Sequence, residues 1–370
     1  MRLVFVTDNG FSKKDGSFYF SPPNYAHVKH LKKYFNEFVF VARKDNYDKS
    51  NLKIENYKEV HLIAKFNFIK LIYKLTKVIK KADAVICYGI NGYFAHEIAK
   101  KLNKPIIAYN GGEIYEYLIS RGTIKGRLLA PIIRFMERRK FANADYAHFC
   151  DDFLIDVYPT NGKILVASGV DIEFNYENLE RRITKIRNKK KNDIFRIGLI
   201  GHTNNNLKGI GTAIRAISHL DNNYVLEVVG RGNHEKYDEL AKNLGVFNQI
   251  DFKGTLKAGE EIFSWLDSVD LYIQPSQIEG LPRATIEAMS RGCPIISSNA
   301  GGLHKLISED WRINHKDHGG LAAKICKLTN DFNLMEELAH DNFVKSKKYS
   351  SKEREKKYDD FYGEMIRNLK

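Results

Sequence analysis

Several features are missing from this 370-residue sequence, and each absence narrows the reading. There is no run of 18 or more apolar residues, so no helix is expected to cross a membrane. The four cysteines, Cys87, Cys150, Cys293 and Cys326, stand far apart and match neither a zinc spacing nor a disulfide framework. A reduced, cytoplasmic chain is the expectation. The opening MRLVFVTDNG lacks the charged-then-apolar order of a signal peptide and reads as a strand entering a turn. Carboxylates are scarce early in the chain. Residues 1–150 hold 27 Lys+Arg against 13 Asp+Glu, whereas residues 151–370 hold 32 of each, so the whole formal charge of +14 belongs to the first part. Such asymmetry predicts a polyanionic partner there, either a membrane surface or a nucleic acid.

What is present describes a packed globular protein, with 43% hydrophobic and 12% aromatic residues. Apolar strand-like runs alternate with helical stretches throughout. In the first part the strands are Arg2–Thr7, Phe38–Ala42, Ala84–Tyr88, Pro105–Tyr109 and Tyr146–Cys150, and the helices are Tyr25–Phe35, Phe94–Leu102 and Lys125–Phe141. This is βαβ logic, the signature of a parallel sheet with helices on both faces. From Glu173 to Asp193 the segment is polar and charged with no evident apolar stripe, and it reads as a linker. A second alternating unit follows, with strands Phe195–Ile200, Val225–Val229, Ile250–Phe252, Leu271–Gln274 and Ile295–Ser297. The fold class is therefore α/β, two tandem Rossmann-like doubly wound domains at 1–172 and 194–345. Residues 346–370 form an amphipathic C-terminal helix expected to pack back on the first domain. Ligands are expected at the carboxyl ends of the strands, in the cleft between the domains.

The segment QPSQIEGLPRATIEAMSRGCPIISSNAGG, 274–302, concentrates the chemistry. Pro282 suits the first turn of a helix, where its missing N–H costs nothing. Glu279 then precedes the helix and Glu287 lies inside it. The backbone N–H groups of Gly280, Leu281 and the first turn form an anion cradle. Carboxylates accept paired hydrogen bonds from vicinal hydroxyls, so Glu287 suits a ribose and Glu279 the hydroxyls of a second sugar.

These residues carry a resemblance. Two glutamates eight apart, EGLP after the first, EAM around the second, then GCP and GG, are similar to the donor signature of family-4 retaining glycosyltransferases of the GT-B fold. Lys208–Gly209 resembles that family's diphosphate-binding pair. VVGRG at 228–232, with Gly230 and Arg231, and DFKGTL at 251–256, with Lys253, look like its nucleotide loops, and SGVD at 168–171 like the turn before its linker. The resemblance implies a metal-independent, retaining hexosyltransferase using a UDP- or GDP-sugar and no cofactor. No Asp-x-Asp pair occurs in the chain, in keeping with that. Glu279 and Lys208 are implied as catalytic. Glu287, Gly280, Leu281, Pro282, Arg283, His202, Gly230, Arg231 and Lys253 are implied around the donor. Gly10, Asn110, Gly111 and Gly112 would form the acceptor and sugar pocket.

The sequence also departs from the pattern. His202 stands where the family usually has Arg, YNGGE where it often has His, and Lys305 where a Glu usually follows GG.

Between 64 and 82, Lys70, Lys74, Lys77 and Lys81 fall on one helical face, with Ile69, Ile72, Leu75 and Ile79 on another. The lysines are read as contacting an anionic membrane, the apolar residues as packing on the first sheet. The expected enzyme is peripheral on the cytoplasmic face and extends a saccharide, lipid-linked, for a cell-surface polysaccharide or glycolipid. A soluble transferase acting on a small molecule or protein is the alternative. A nucleic-acid-binding protein is the distant one, and it leaves 279–302 unexplained. A glycoside hydrolase needs its carboxylates about 5–10 Å apart, whereas eight helical residues span about 12 Å. GRGN at 230–233 lacks the third glycine of a dinucleotide fingerprint, and His315, Asp317 and His318 read as a solvated loop.

Overall fold

The computed structural model describes residues 1–20, 30–44, 52–53, 57–63, 68–120 and 122–369. The first half of the expected helix Tyr25–Phe35 lies outside these. The chain divides into two compact units, one of Met1–Gly169 with Arg354–Lys370, the other of Val170–Glu353.

In the first unit, β1 (Arg2–Lys14), β3 (Glu37–Lys44), β5 (Glu59–Ile63), β6 (Ala84–Tyr88), β7 (Ile106–Asn110), β8 (Tyr146–Phe149) and β9 (Lys163–Val166) pair in parallel in the order β5-β3-β1-β6-β7-β8-β9. Their apolar residues form the core, because a parallel sheet covered on both faces tolerates little polarity. The strand β1 does not turn at Thr7 as expected. It shifts register between Thr7 and Gly10, continues to Lys14, and returns as β2 (Ser17–Phe20) and then β4 (Leu52–Lys53). Asp15 and Gly16, with φ of 48° and 75°, make the hairpin turn. Gly10 is therefore a buried residue within the strand, not in a turn.

Helices α1 (Phe68–Ile79), α2 (Gly89–Lys101), α3 (Ile114–Ser120), α4 (Ile124–Ala142) and the short α5 (Phe153–Val157) join these strands. On α1 the buried residues are Leu71, Leu75, Val78 and Ile79, while Ile69 is 80% exposed, so that part of the expected apolar face is turned to solvent.

The second unit begins with a correction. Segment 173–193 carries α6 (Tyr176–Arg187), capped by the Asn175 side chain, which accepts from the Glu177 N–H at 3.0 Å. Its stripe is Leu179, Arg182, Ile183, Ile186, and the arginine in the middle hides the periodicity. Buried Arg182 donates to the carbonyls of Val269 (2.5 Å), Leu266 (2.7 Å) and Arg291 (3.2 Å), which binds the helix to its neighbours.

Six parallel strands follow in the order β12-β11-β10-β13-β14-β15: β10 (Phe195–Ile200), β11 (Tyr224–Val229), β12 (Ile250–Gly254), β13 (Leu271–Gln274), β14 (Ile295–Ser298) and β15 (Arg312–Ile313). The order reverses direction at β10, so the neighbouring ends of β10 and β13 form a switch point. Helices α7 (Ile210–Ile217), α8 (Glu235–Asn243), α9 (Glu260–Ser268), α10 (Arg283–Ser290), α11 (Leu303–Leu306), α12 (His318–Thr329) and α13 (Phe332–Ser346) surround the sheet.

The final helix α14 (Ser351–Leu369) buries Tyr358, Phe361, Tyr362 and Met365 in the core of the first unit. There the Nε2–H of buried His148 donates to Ala167 O (3.2 Å), so Nδ1 accepts from the Tyr362 hydroxyl (3.0 Å). Burial holds His148 down to about 3, neutral under ordinary conditions.

Candidate active site

At the switch point, residues from two loops meet. The loop after β10 brings Lys208 forward, and the loop after β13 brings Glu279. Gly209 makes this approach feasible. Its φ is 74°, and a Cβ there would lie 2.0 Å from the Pro275 carbonyl oxygen. Gly301 does the same from behind, since a Cβ on it would fall 1.7 Å from the Glu279 carbonyl oxygen. The GG that follows β14 is thus the floor under Glu279.

The Lys208 Nζ lies 2.6 Å from Glu279 Oε1, with the Lys side chain 34% and the Glu side chain 5% exposed. Glu279 is held from its other side by a string of buried groups that sequence reading missed. The Tyr272 hydroxyl donates to Gln274 Oε1 (2.5 Å), Gln274 Nε2 donates to Ser276 Oγ (2.7 Å), and Ser276 donates to Glu279 Oε1 (2.7 Å). Every direction in this string is forced, because a carboxylate only accepts and an amide nitrogen only donates. The signal was present as alternate positions 272, 274 and 276, one face of a strand and its extension.

Helix α10 starts at Arg283, one residue later than expected, with Pro282 at the cap and its carbonyl accepting the first helical bond from Ile286. The Arg283 N–H turns back to Leu281 O, so the cradle is narrower than a full free turn. Among the described residues, the amides of Gly280 and Leu281 have no protein acceptor. Leu281 borders a cavity of about 250 Å³ with His202, Lys208, Gly230 and Glu279. Burial, and then the nearby Arg231 and Lys208 cations, hold the His202 imidazole below its ordinary range. It is therefore neutral at neutral pH and adds no charge for an anion.

Glu287 lines a neighbouring groove of about 650 Å³, together with Phe263, Asn178 and Arg181. Burial pushes its carboxyl up, and Arg283 offsets part of that. Arg283 borders both spaces, so the two glutamates line adjoining compartments. Arg231 is exposed beside His202. Lys253 is not brought to either space. Its ammonium lies 2.6 Å from Asp251 and 3.9 Å from buried Glu227, which also accepts from Trp265 Nε1. A strand residue faces its own sheet neighbours, and the loop resemblance at DFKGTL concealed that.

In the first unit, Asn110 ends β7 and Gly111 and Gly112 follow it. Asn110 is buried, its Oδ1 accepting from the Gly112 N–H (2.6 Å) and its Nδ2 donating to Glu137 Oε2 (3.2 Å). Glu137 in turn pairs with Lys140 at 2.6 Å, both enclosed. Burial pushes the Glu137 carboxyl up, with Lys140 opposing it. Asp8, after the first part of β1, accepts from the N–H groups of Ile90 and Asn91 and so caps α2. Asp317 likewise caps α12 through the Gly320 N–H, while His318 pairs with His219 at 2.9 Å. No group of three potential metal ligands occurs among the described residues.

Residues 194–331 match the family model described as glycosyl transferases group 1. Protein CapJ of Staphylococcus aureus is 33% identical over 315 residues, covering 83% of this chain and 77% of its own. The chain belongs to the group 1 glycosyltransferases. Solved structures share the fold over nearly the whole length. HepE of Anabaena, in complex with UDP-glucose, aligns with a TM-score of 0.70 at 14% identity and covers all of both chains. The lipopolysaccharide outer core galactosyltransferase WaaB aligns at 0.69 and 15% identity, covering 99% of this chain and 100% of its own. The two parallel-sheet units are thus those of a GT-B glycosyltransferase, and Lys208 and Glu279 stand at the switch point of its second domain.

Proposed function

We propose that this glycosyltransferase is of family 4 and moves a sugar, with retention and without a metal, from a nucleoside-diphosphate sugar to a saccharide acceptor. The observation that carries the reading is the Lys208–Glu279 pair at 2.6 Å beside the acceptor-free amides of Gly280 and Leu281. A diphosphate entering this cavity competes with the carboxylate for the ammonium. Lys208 then turns to the phosphate on which charge grows as the glycosidic bond breaks, and Glu279, kept in place by Ser276, takes hydroxyls of the departing sugar. Arg283 bridges toward Glu287, which takes the ribose. Asn110 and the Gly111–Gly112 turn stand on the acceptor side.

A cell-surface polysaccharide or glycolipid is the product class this reading favours, with a lipid-linked acceptor and a peripheral position on the cytoplasmic face. HepE was solved with UDP-glucose, and WaaB is named for lipopolysaccharide outer core. The first supports a UDP-sugar and the second that product class. The excess of cations in residues 1–150 supports the anionic surface. No described helix is long and apolar enough to cross a membrane.

A panel of UDP- and GDP-sugars screened for thermal stabilisation tests the donor, because a ligand bound to the native state raises its stability. Stabilisation by one of them, undiminished by chelator, is expected. Inactivation by EDTA with rescue by a divalent ion would remove the metal-free mechanism, and inverted product stereochemistry would remove retention.

A further inference from the structure

Helix α4 exposes an apolar stripe that the fold of its own unit does not use. Ile124 is 78% exposed, Leu128 67%, Ile132 55% and Phe135 64%, with Leu129 beside them at 48%. Positions 124, 128, 132 and 135 lie one above another on a helix about 28 Å long. Single exposed apolar residues are ordinary on a protein surface; a continuous stripe is not.

The exposed charges of α4 itself are of one sign. Lys125, Arg127 and Arg138 are exposed along its margins. Glu137 is the only acidic residue between 124 and 142, and it is buried against Lys140. Among the described residues, the exposed arc of α4 thus offers no carboxylate. Helix α1 repeats the pattern, with Ile69 at 80% and Tyr73 at 70% on its crest and Lys77 and Lys80 exposed among them. On α1 and the turn after it, the lysines 70, 74, 77 and 81 border a groove of about 550 Å³ beside β5, lined also by Glu59 and His61, and Lys74 donates to Leu62 O. The charged face first singled out in the sequence is therefore partly turned toward its own sheet.

We propose that α4 lies on an anionic lipid bilayer, with Ile124, Leu128, Ile132 and Phe135 in the interfacial layer and Lys125, Arg127 and Arg138 on the headgroups. A convex apolar crest whose own helix edges it with cations, one of which, Arg139, is paired with Glu97 of α2 at 3.2 Å, fits a flat anionic surface. A second copy of the chain is a poor fit, since a two-fold contact through this face sets like charges against each other. The placement also suits the acceptor. Helices α1, α2 and α4 each run back toward a parallel strand, so they start at the carboxyl-end rim of the sheet, the rim that carries Asn110–Gly112. This inference rests on the membrane reading above and names its seat.

The test is co-sedimentation of the full chain with phosphatidylcholine vesicles, with and without phosphatidylglycerol, alongside UDP-induced thermal stabilisation. Wild type is expected on the anionic vesicles only. The fourfold variant Ile124→Ser, Leu128→Ser, Ile132→Ser, Phe135→Ser is expected to lose at least tenfold in vesicle partitioning while keeping its melting temperature and response to UDP. In a separate Ile132→Trp variant, emission is expected to shift to the blue on anionic vesicles. Unchanged partitioning of the fourfold variant overturns the proposal. So does loss of binding only when Lys70, Lys74, Lys77 and Lys81 are changed to Gln, an outcome that leaves the membrane reading standing with α1 as its seat. Absence of vesicle binding by wild type removes both. A fourfold variant that turns a dimer into a monomer assigns the stripe to a second copy instead.

Discussion

Both units contain a lysine within 2.6 Å of a glutamate, and the two pairs differ in almost everything else. Lys140 and Glu137 are three residues apart on one helix and closed off, with side chains 0% and 5% exposed. Lys208 and Glu279 come from loops 71 residues apart, and the lysine is 34% exposed at a cavity. An enclosed pair cannot exchange partners, because either charge left alone in the interior is strongly disfavoured. An open pair can release one partner to a ligand at modest cost. The first therefore supports the Asn110 loop, and the second is open to a ligand.

Breaking the enclosed pair should have the largest effect. Lys140→Met leaves Glu137 uncompensated and should cost about 3–5 kcal/mol of stability, read from urea unfolding. Lys208→Met should cost less, because Glu279 keeps the hydrogen bond from Ser276 and borders a cavity; a loss comparable to that of Lys140→Met would show that the open pair is structural too.

Glu287→Ala should weaken UDP-sugar and free nucleoside diphosphate together, by roughly 1.5–3 kcal/mol if the ribose is its partner. Calorimetry on both ligands checks this, and unchanged nucleotide affinity removes Glu287 from the site. Glu279→Ala should instead reduce turnover with little change in nucleotide binding.

Lys208→Ala should lower turnover at saturating donor by more than about tenfold, the equivalent of roughly 1.4 kcal/mol, since charge on the leaving phosphate grows in the transition state. Neutral His202 gives little help there. Lys208→Arg should recover part of the loss. If the Ala variant loses donor affinity alone, the leaving-group role passes to Arg231 or Arg283.

Ser276→Ala should have a smaller effect of about 1 kcal/mol, seen as a modest fall in turnover with nucleotide affinity intact. A loss as large as that of Glu279→Ala would mean that Glu279 has no other support.

Acid should loosen the two units unequally. The folded His148 binds its proton only near pH 3, whereas an unfolded histidine does so near 6.5. Between those values the unfolded state carries more protons, so stability falls as pH falls, by up to about 1.4 kcal/mol per unit, and is fully present above 6.5. His148→Gln should flatten that slope in the unit that α14 joins.

The second unit was the more legible in the sequence. Strands β10 and β13 begin and end where apolar runs meet Gly, Pro or polar residues, and Glu279 and Glu287 lie within one continuous motif. In the first unit β1 outran its expected turn, because the bulge between Thr7 and Gly10 carries polar residues through a strand that is still paired. Helix α6 was missed because a buried arginine interrupts its stripe, and no local rule says which carbonyls will receive it. Lys253 was misplaced because a motif gives a neighbourhood, not the direction of a side chain.

By itself, then, the sequence determined two alternating α/β units, the glutamate pair of 279–287 and the one-sided charge, since these are properties of period and local order. Tertiary structure decided which lysine meets Glu279, that Ser276, Gln274 and Tyr272 stand behind it, that His202 is neutral, and that α4 turns its apolar crest outward. Those outcomes depend on burial and on partners brought together from distant parts of the chain, and burial fixes both the cost of a charge and the surface left over for a ligand or a bilayer.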